Sequence, residues 1–405
     1  NMIKKFLDLG MQPLANKYLT KKDIIRKVED FYHLEVCFDT RTKLVSVLNT
    51  VPSKKMFDNK YPYRSSMSQT MLNSFKKLAK NIIKTFNPAF LLEIGSNDGS
   101  FIKNFNKRKV TCVEPCSNLA KVTREMGYKT YSNFWNITLA KKIKSKMKNI
   151  DLIYSANSLS HIKNLDSVFS SITHVLSDYG VLIIEDPSLL ECLKKVSYDQ
   201  FYNEHIYIFS LLSIKNLIKK YKLEVFNIEK LNTHGGSLRY YIKKVSNNKF
   251  EVYKKVKMQL NRELRYGINK YSTYIEFKNK VESSKRKLKQ IFLNLKKKNK
   301  TIIGYGATAK SSTVLNYCNI KNETLEYFLD TTPNKIGKYM PGTHIYIKNY
   351  NKTLLNKVDY AFLGAWNFKE EILSREENYI QNGGKMLFLM PYPYYVDKFG
   401  EHEIQ

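Results

Sequence analysis

Apolar runs, glycine turns and helical stretches alternate in two parts of the chain. In the first part, AFLLEIG, KVTCVEP, DLIYSAN, GVLIIED and LEVFNIE are separated by stretches with helical spacing, and SLRYYIKK closes the series. The second part begins with TIIGYGATAKSSTVLNY and continues through LEYFLD, YAFLGAW and KMLFLMPYP. Alternating strands and helices indicate a mostly parallel sheet covered by helices on both faces. The pattern therefore predicts an α/β protein with two doubly wound modules.

The rest of the chain has different patterns. Residues 73–86 place apolar side chains at helical spacing, and NDGSFIKNF, after the first glycine turn, is expected to open a helix. Residues 246–300 are charged and helical in pattern, with no strand among them. Residues 1–72 are irregular and rich in turns. We therefore predict a small N-terminal lobe over 1–72, a first α/β module over 73–245, and a helical connection with a second α/β module over 246–405.

The composition excludes several classes of protein. Of the 405 residues, 43% are hydrophobic and 13% aromatic, which is enough to form cores and excludes wholesale disorder. No stretch approaches the ~18 consecutive apolar residues of a membrane span. Asp8, Gln12 and Asn16 interrupt the apolar region that a signal peptide would need. Five cysteines without a CxxC pair argue against a disulfide scaffold or a cysteine-rich zinc site, and predict a cytoplasmic protein.

The net charge of +32 allows two interpretations. It can be the electrostatic footprint of a protein that binds nucleic acid or another polyanion. It can also reflect compositional drift, because only 10 of the 68 basic residues are arginine and the chain is rich in Asn, Ile and Tyr. Surfaces dedicated to nucleic acid usually use more arginine, whose planar fork reads phosphates and bases. We therefore favour drift.

The first glycine turn has the chemistry of a nucleoside-binding site. It reads E-x-G-x-x-x-G from Glu93 to Gly99, between a strand and the expected helix, and Glu114 follows 21 residues after Glu93 at the end of the next strand. A carboxylate at this distance is placed to accept the hydroxyls of a ribose. The turn lacks the third glycine that fits a dinucleotide pyrophosphate, which favours S-adenosylmethionine (SAM) over NAD. The alternative is a turn that only packs a helix on a strand.

The ordered motifs make the resemblance to one family specific. LLEIGSNDGSFIKNF, VEPCSNLAKVTREMGYKT, SANSLSHI, FYNEH, HGGSLR and GYGATAKSSTVLNY occur in that order, flanked by DLGMQPLANKYL and DTTPNKIGKYMPGTHI. The set resembles the nucleotide-sugar C-methyltransferases, which add a methyl group to C3 of dTDP-4-keto-deoxysugars. The resemblance implies a class I SAM-methyltransferase Rossmann-like module followed by a second Rossmann-like module. It also implies SAM as cofactor and a nucleotide-diphosphate sugar as substrate.

The N-terminal region departs from the family pattern. Members of the family usually carry two cysteine pairs that bind a structural zinc ion there. The sequence in hand starts after the position of the first pair, and Cys37, in EVCFDTRTKLVSV, stands alone at the second. We therefore expect no metal, and a lobe that folds by packing alone.

Methylation of carbon requires a base that removes a proton beside a ketone and a group that stabilises the enolate. Histidine titrates near neutrality, and by resemblance His205 is the base candidate, with Tyr202 and Glu204 close to the sugar. His161 follows a strand, at the end of the sheet that faces the ligand crevice, where it could bind the keto oxygen. Tyr63 is a candidate to reach the site from the lobe. Each assignment has an alternative. His205 could be a core histidine, the segment with His161 could only cap a helix, and Tyr63 could be an aromatic packing contact.

Further residues are assigned by role. The HGGSLR turn exposes backbone N–H groups that could cradle an anion, and the turn GYGATAK opens a helix whose N-terminus could bind phosphate. The resemblance implies that the second module helps to hold the nucleotide diphosphate. Asp330, 26 residues after Gly304, would also suit NAD, but the turn has no third glycine. The cofactor-binding candidates are Glu93, Gly95, Ser96, Asn97, Gly99, Glu114, Pro115, Trp135, Ala156 and Asn157, and the substrate-binding candidates are Ser65, Ser66, His234, Gly235, Gly236, Arg239, Ala307 and Lys310.

These observations favour SAM-dependent C-methylation of a nucleotide-linked 4-keto-deoxysugar. O- or N-methylation of a related sugar on the same scaffold is the first alternative, and it would need no enolate. The net charge motivates a nucleic-acid methyltransferase as a more remote alternative, which would leave the HGGSLR and GYGATAK turns without a role. A sugar-nucleotide binding protein without activity is the last alternative.

Overall fold

The computed structural model describes residues 2–147 and 149–404, which form three β-sheets with helices packed around them. The N-terminal sheet is antiparallel, in the order β1-β2-β3-β9, with β1 Ile3–Pro13, β2 Phe31–Asp39, β3 Val45–Val47 and β9 Tyr207–Ile208. Two short helices accompany it, α1 Lys21–Ile25 and α2 Ser53–Met56. Because its fourth strand comes from the first α/β module, the lobe is built onto that module.

The prediction of an irregular lobe over residues 1–72 is therefore wrong. The strand β1 is 11 residues long, but its register shifts between Lys5 and Leu7 and again between Asp8 and Met11. Each irregularity interrupts the alternation of apolar and polar residues that identifies a strand in a sequence. The long antiparallel pair was hidden by these two shifts.

The first α/β module contains seven strands in the order β10-β11-β8-β7-β4-β5-β6. All neighbours are parallel except β11, which is antiparallel to β8 and β10. The strands are β4 Leu91–Ile94, β5 Val110–Val113, β6 Lys129–Tyr131, β7 Ile150–Ala156, β8 Leu176–Pro187, β10 Leu223–Leu231 and β11 Ser237–Lys244. The helices are α3 Gln69–Thr85, α4 Ser117–Glu125, α5 Ile137–Lys146, α6 Leu165–Val175, α7 Leu189–Lys194 and α8 Leu211–Ile218. The strands expected from the apolar runs and the helix expected over 73–86 are confirmed.

The helix expected to open after the first glycine turn is absent from the described residues. The chain instead makes turns that end in a short 3₁₀ segment, Ile102–Asn104. Asn97 and Gly99 have φ of +48° and +78°, in the left-handed region that interrupts a helix. The Ser100 hydroxyl donates to the carboxylate of Asp98 at 2.6 Å, a local hydrogen bond that competes with helical pairing.

The second α/β module has seven strands in the order β14-β13-β12-β15-β16-β17-β18. The first five are parallel and the last two are antiparallel. The strands are β12 Ile302–Tyr305, β13 Tyr327–Asp330, β14 Tyr346–Asn349, β15 Tyr360–Leu363, β16 Lys385–Phe388, β17 Tyr394–Asp397 and β18 Gly400–Glu403. The helices are α9 Lys254–Tyr266, α10 Tyr271–Lys297, α11 Ala309–Cys318, α12 Lys352–Leu355, α13 Lys369–Arg375 and α14 Glu377–Gln381. The sequence prediction missed β14, β17 and β18. Exposed positions in β14 and β18 leave no apolar run, whereas β17 is only four residues long and has no exposed residue.

The long helix α10 connects the three parts of the molecule. Its Tyr274 stacks on Phe38 of β2, with ring centroids 4.4 Å apart, and its Phe292 meets Phe362 of β15 at 5.8 Å. One hydrophobic core therefore includes residues of the lobe, of α10 and of the second sheet. This shared core fixes the lobe relative to the second module. Although α10 has 27 residues, no helix in the described ranges is long and apolar enough to cross a membrane.

Candidate active site

A cavity of ≈ 370 Å³ lies where the carboxyl ends of the parallel strands of both modules meet the N-terminal lobe. In each module the cavity lies beside the strand that comes first in the chain, β4 or β12, where the strand order reverses. Open α/β sheets bind ligands at this point. The cavity wall contains these predicted residues: Tyr63, Ser65, Glu93, Gly95, Ser96, Asn97, Glu114, Pro115, Trp135, Ala156, Asn157, His161, Tyr202, His205, His234 and Lys310.

Seven predicted residues lie outside the cavity wall: Ser66, Gly99, Glu204, Gly235, Gly236, Arg239 and Ala307. The two glycines of the HGGSLR turn show why. A Cβ on Gly235 would lie 2.2 Å from the indole of Trp366, and one on Gly236 would lie 2.9 Å from the side chain of Glu191. Neighbouring side chains thus fill the space beside both α-carbons, and the backbone N–H of Gly236 is already used by the carbonyl of Thr233 at 2.9 Å. The glycines are needed for close packing and for positive φ, and the predicted anion cradle does not form.

Arg239, predicted to bind the substrate, instead forms a buried ion pair. Its Nε and Nη2 donate to Oε2 of Glu185 at 3.1 and 2.9 Å, and its Nη1 donates to Glu229. Glu185 is fully buried, and Tyr154 donates to the same carboxylate oxygen at 3.3 Å. The guanidinium therefore neutralises a carboxylate inside the first module and is not available to a substrate.

One end of the cavity is formed by the first glycine turn. Glu114 accepts the backbone N–H of Asn97 through Oε2 and that of Cys116 through Oε1, both at 2.8 Å. The carboxylate thus braces the turn on which the predicted ribose site depends. Glu93 Oε2 and Ser96 Oγ, by contrast, are buried in the wall and have no partner among the described residues. Burial, with Glu114 and Asp98 nearby, raises the pKa of Glu93 well above its ordinary value.

At the other end of the cavity, His205 is held with one ring nitrogen as an acceptor. Its Nδ1 lies 2.8 Å from the carbonyl oxygen of Gln200, and because a carbonyl can only accept, Nδ1 carries the proton. Its Nε2 therefore has the lone pair and accepts from the hydroxyl of Tyr202 at 2.7 Å. Burial and the neighbouring His161 hold the pKa of His205 well below its ordinary value. The imidazole is neutral and competent to take a proton.

Two more histidines surround this acceptor. The ring of His161 is 5.0 Å from that of His205 and stacks on Phe57. Its Nε2 is buried without a partner among the described residues, and burial lowers its pKa to about 4. The Nε2 of His234 is 3.3 Å from Nδ2 of Asn157, and burial lowers the pKa of His234 to about 3. All three imidazoles are therefore neutral at pH 7.

Glu204 lies outside the cavity wall and forms hydrogen bonds to the N-terminal lobe. Its Oε1 accepts from Nδ2 of Asn16 at 2.7 Å, and its Oε2 accepts from the hydroxyl of Tyr61 at 2.8 Å. Burial raises the pKa of this carboxyl to about 7, while the two hydrogen bonds oppose the shift. Glu204 ties the loop that carries His205 to the N-terminal lobe. Both partners belong to the cavity wall, whereas Glu204 itself does not, so a place close to the sugar stays a prediction for this residue.

The second glycine turn is braced as the first one is. Asp330, at the end of β13, accepts the backbone N–H of Ala307 at 2.8 Å and that of Thr332 at 2.7 Å. Thr308 caps α11 by accepting the N–H of Ser311 at 3.1 Å. Because the backbone amide of Ala307 is used by Asp330, it is not free for a phosphate. Lys310 points into the cavity from the first turn of the same helix.

Asp186 fixes the segment that carries His161. Its Oδ1 accepts from the hydroxyl of Ser160 at 2.6 Å, and burial raises the pKa of this carboxyl to about 8. Since the folded state holds the proton more tightly than the unfolded state, rising pH weakens folding by up to about 1.4 kcal/mol per pH unit until the pKa is passed. Between pH 6 and pH 8, we therefore expect the free energy of unfolding to fall less in Asp186→Asn than in the unchanged protein.

Urea unfolding at both pH values measures this difference. The control is Asp178→Asn, an exposed aspartate whose pKa is lowered by Lys244 and which does not titrate in that range. Equal losses of stability in Asp186→Asn and the unchanged protein would show that the Asp186 carboxyl is ionised in the folded state.

Family models match most of the chain. A methyltransferase domain matches residues 63–228, a C-methyltransferase C-terminal domain matches residues 232–391, and a zinc binding domain matches residues 1–57. The chain belongs to the SAM-dependent C-methyltransferases. It is 27% identical to the C-methyltransferase NovU of Streptomyces niveus over 392 residues, which cover 96% of this chain and 93% of NovU.

The chain also aligns with solved structures of SAM-dependent methyltransferases. One from Thermotoga maritima is 16% identical, with a TM-score of 0.33, over 44% of this chain and 90% of the other. One from Clostridium acetobutylicum is 14% identical, with a TM-score of 0.32, over 43% of this chain and 92% of the other.

The described residues of the N-terminal lobe do not fit a thiolate zinc site. Cys37 is the single cysteine of residues 1–57, and its thiol is buried 3.3 Å from the hydroxyl and the carbonyl of Ser46. A different group, formed by Asp8, His33 and Glu35, has ligand atoms within 4.8 Å of one another. The ammonium of Lys5 lies 2.7 Å from Glu35 and 3.5 Å from Asp8, so a lysine already supplies the positive charge there.

The end of the cavity with the first glycine turn fits SAM. Glu93 Oε2 and Ser96 Oγ offer polar atoms without a partner among the described residues. Gly95, at φ +78°, lets the turn pack closely on Ser158, since a Cβ there would lie 2.2 Å from the hydroxyl oxygen. We expect Glu114→Ala to weaken SAM binding by ~1–3 kcal/mol, because the turn loses the hydrogen bonds to this carboxylate. Calorimetric titration measures the loss, and Glu125→Ala, on the exposed side of α4, is the control. An unchanged affinity in Glu114→Ala would remove Glu114 from the cofactor site.

Sequence reasoning missed the wall formed by the second module. Tyr305 and Tyr350 both donate to the buried carboxylate of Glu376, and Arg375 lies over both rings, 5.6 and 5.4 Å from their centroids. Tyr305, Tyr350 and Arg375 face the cavity. Tyr305 lies within the GYGATAK turn, where only the turn and Lys310 were considered, while Tyr350 follows β14 and Arg375 ends α13, outside any local motif. Trp366 belongs to the same group of missed residues and packs against the HGGSLR turn.

Proposed function

We propose that this enzyme methylates a carbon atom beside the ketone of a nucleotide-linked 4-keto-deoxysugar. The observation that carries the proposal is the neutral His205, whose acceptor nitrogen Nε2 belongs to the same cavity as the SAM site. A C–H bond beside a ketone needs such a base, whereas a hydroxyl or an amine is already nucleophilic enough to need less help. The C-methyltransferase model and the likeness to NovU support methylation at carbon.

In the proposed reaction the sugar ring lies between His205 and the SAM methyl group. The ring proton takes the place of the Tyr202 hydroxyl at Nε2 of His205, and the electron pair of the C–H bond forms the enolate. The enolate carbon then attacks the methyl group, which SAM supplies already activated as a sulfonium. The histidine loses the proton to solvent after transfer. The protein contributes position and proton removal.

The nucleotide is proposed to lie on the second module. The wall there offers aromatic surfaces at Tyr305 and Tyr350, and the crevice lies at the reversal of the strand order. The guanidinium of Arg375 donates to the buried Glu376 at 2.9 Å, but its side chain stays 41% exposed and can still meet a ligand. These features suit a nucleoside diphosphate, since aromatic rings stack on a base and a guanidinium binds phosphate. The pocket favours a nucleotide sugar over a nucleic acid as substrate, because a cavity of ≈ 370 Å³ suits a single nucleotide sugar better than a nucleic-acid strand.

A reaction in D2O tests the proposal. The protein and SAM are mixed with a panel of dTDP-, UDP- and GDP-linked 4-keto-deoxysugars, and the products are analysed by mass spectrometry and NMR. We expect a new methyl carbon bonded to a ring carbon, and deuterium incorporated beside the ketone when SAM is left out. A methyl group on oxygen or nitrogen, without deuterium in the ring, would replace the proposal with O- or N-methylation.

A further inference from the structure

Lys310 is a buried cation in the cavity wall that nothing in the described structure neutralises directly. Its side chain is only 9% exposed, and Nζ has no hydrogen-bond partner among the described residues. It also makes no ion pair within that part of the chain. As the second residue of α11, it lies at the end of the helix where the backbone dipole is positive. Burial lowers the pKa of this ammonium, and Asp199 opposes that shift. Such a group calls for a negative charge when a ligand is bound.

The neighbours of Lys310 place it at the reaction end of the cavity. Its Nζ lies 5.1 Å from the ring centroid of Trp366, whose indole N–H donates to Asp199 at 2.6 Å. Trp366 also packs on Gly235, the residue after His234. The residue after Asp199 is Gln200, whose carbonyl fixes the ring of His205. Lys310 is therefore enclosed by the two segments that carry these histidines.

The electrostatic coupling agrees with this placement. The positive charge of Lys310 is one of the causes that lower the pKa of His205 and of His234, after burial in both cases. A charge that acts on both imidazoles also acts on a substrate group between them. The sequence alone grouped Lys310 with the diphosphate, on the basis of its place at a helix N-terminus.

We propose that the ammonium of Lys310 stabilises the enolate oxygen that forms when His205 removes the proton beside the substrate ketone. The proposal rests on the proposed function. The proton moves from the ring carbon to Nε2 of His205, its bonding pair becomes the carbon–carbon double bond, and the carbonyl π pair moves to the oxygen facing Lys310. On methyl transfer that pair re-forms the carbonyl, the ring carbon bonds to the methyl group, and the carbon–sulfur pair stays on sulfur.

The neutral histidines do not replace this charge. His161 has an unpaired Nε2 in the wall, but its pKa of about 4 leaves it uncharged at pH 7. It can offer a hydrogen bond to the ketone but no compensating charge. A preorganised donor aimed at a developing oxyanion usually contributes ~10²–10³-fold to the rate. Lys310 is the residue of the cavity wall whose positive charge acts on both His205 and His234.

Enolisation without methyl transfer tests the role of Lys310. The 4-keto-deoxysugar nucleotide that the unchanged enzyme exchanges fastest is incubated in D2O without SAM, and deuterium beside the ketone is followed by NMR at increasing substrate concentration. We expect Lys310→Met to lower the saturating exchange rate by ~10²–10³-fold, while the half-saturating concentration changes less than about threefold. SAM affinity and the melting temperature should not fall, because methionine removes an unpaired buried charge.

Lys195→Met is the matched control. The Lys195 ammonium donates to the Gly235 carbonyl, next to the same turn, but lies outside the cavity wall. We expect it to leave the saturating exchange rate unchanged. An unchanged saturating rate in Lys310→Met, with a large rise in the half-saturating concentration, would overturn the proposal and return Lys310 to the diphosphate. Failure of the unchanged enzyme to exchange any sugar of the panel would instead contradict the proposed function itself.

Discussion

Replacement of His205 by asparagine is expected to abolish methyl transfer and to leave SAM binding close to that of the unchanged enzyme. The Nδ2 group of asparagine can still donate to the carbonyl of Gln200, as Nδ1 of the histidine does at 2.8 Å, so the loop keeps its anchor. What is lost is the acceptor at Nε2. Removal of a general base typically costs ~10²–10⁴-fold in rate. Deuterium exchange beside the ketone should fall with methyl transfer, because both need the enolate.

The measurement is the rate of methyl transfer and of exchange, together with a calorimetric SAM titration. His174→Asn is the matched control, since this histidine is exposed in the last turn of α6, outside the cavity wall. Exchange that persists in His205→Asn while transfer is lost would assign the base elsewhere and leave His205 with a role in alignment. Near-normal transfer would remove His205 from the mechanism.

The sequence predicted those parts of the molecule that depend on local patterns. The apolar runs identified the buried parallel strands, and the two glycine turns identified the crevices, because a turn with positive φ at a strand end favours glycine. The order of the motifs then predicted that Glu93, Asn157, His161 and His205 meet, although they are far apart in the chain. The structure brings these four side chains to one cavity.

The parts that the sequence did not reveal depend on contacts between distant segments. Arg239 follows a glycine turn and resembles a substrate ligand, but Glu185 on the neighbouring strand β8 lies opposite it in the register. A strand pairing of this kind is not visible in a single sequence. In the same way, Glu204 is adjacent to His205 in sequence, yet its carboxylate is held by Asn16 and Tyr61 of the lobe and lies behind the cavity wall that they form.

Arg239→Met is expected to destabilise the protein strongly without removing a substrate contact. Methionine fills much of the arginine side-chain volume, but it leaves Glu185 fully buried without its cation. Breaking one partner of a buried ion pair costs ~3–5 kcal/mol, because the remaining charge is uncompensated. The expected result is a loss of this size in the free energy of unfolding, measured by urea titration at pH 7. The half-saturating substrate concentration of the folded fraction should stay unchanged.

Two further variants separate the ion pair from other causes of instability. Glu185→Gln combined with Arg239→Met removes both charges, so the double variant should recover part of the lost stability. Lys244→Met breaks an ion pair with the largely exposed Asp178, and it should cost no more than ~1 kcal/mol. A double variant as unstable as Arg239→Met would mean that packing, and not charge, dominates at this position. A selective rise in the half-saturating substrate concentration in Arg239→Met would return the arginine to the substrate site from which its buried pairing with Glu185 excludes it.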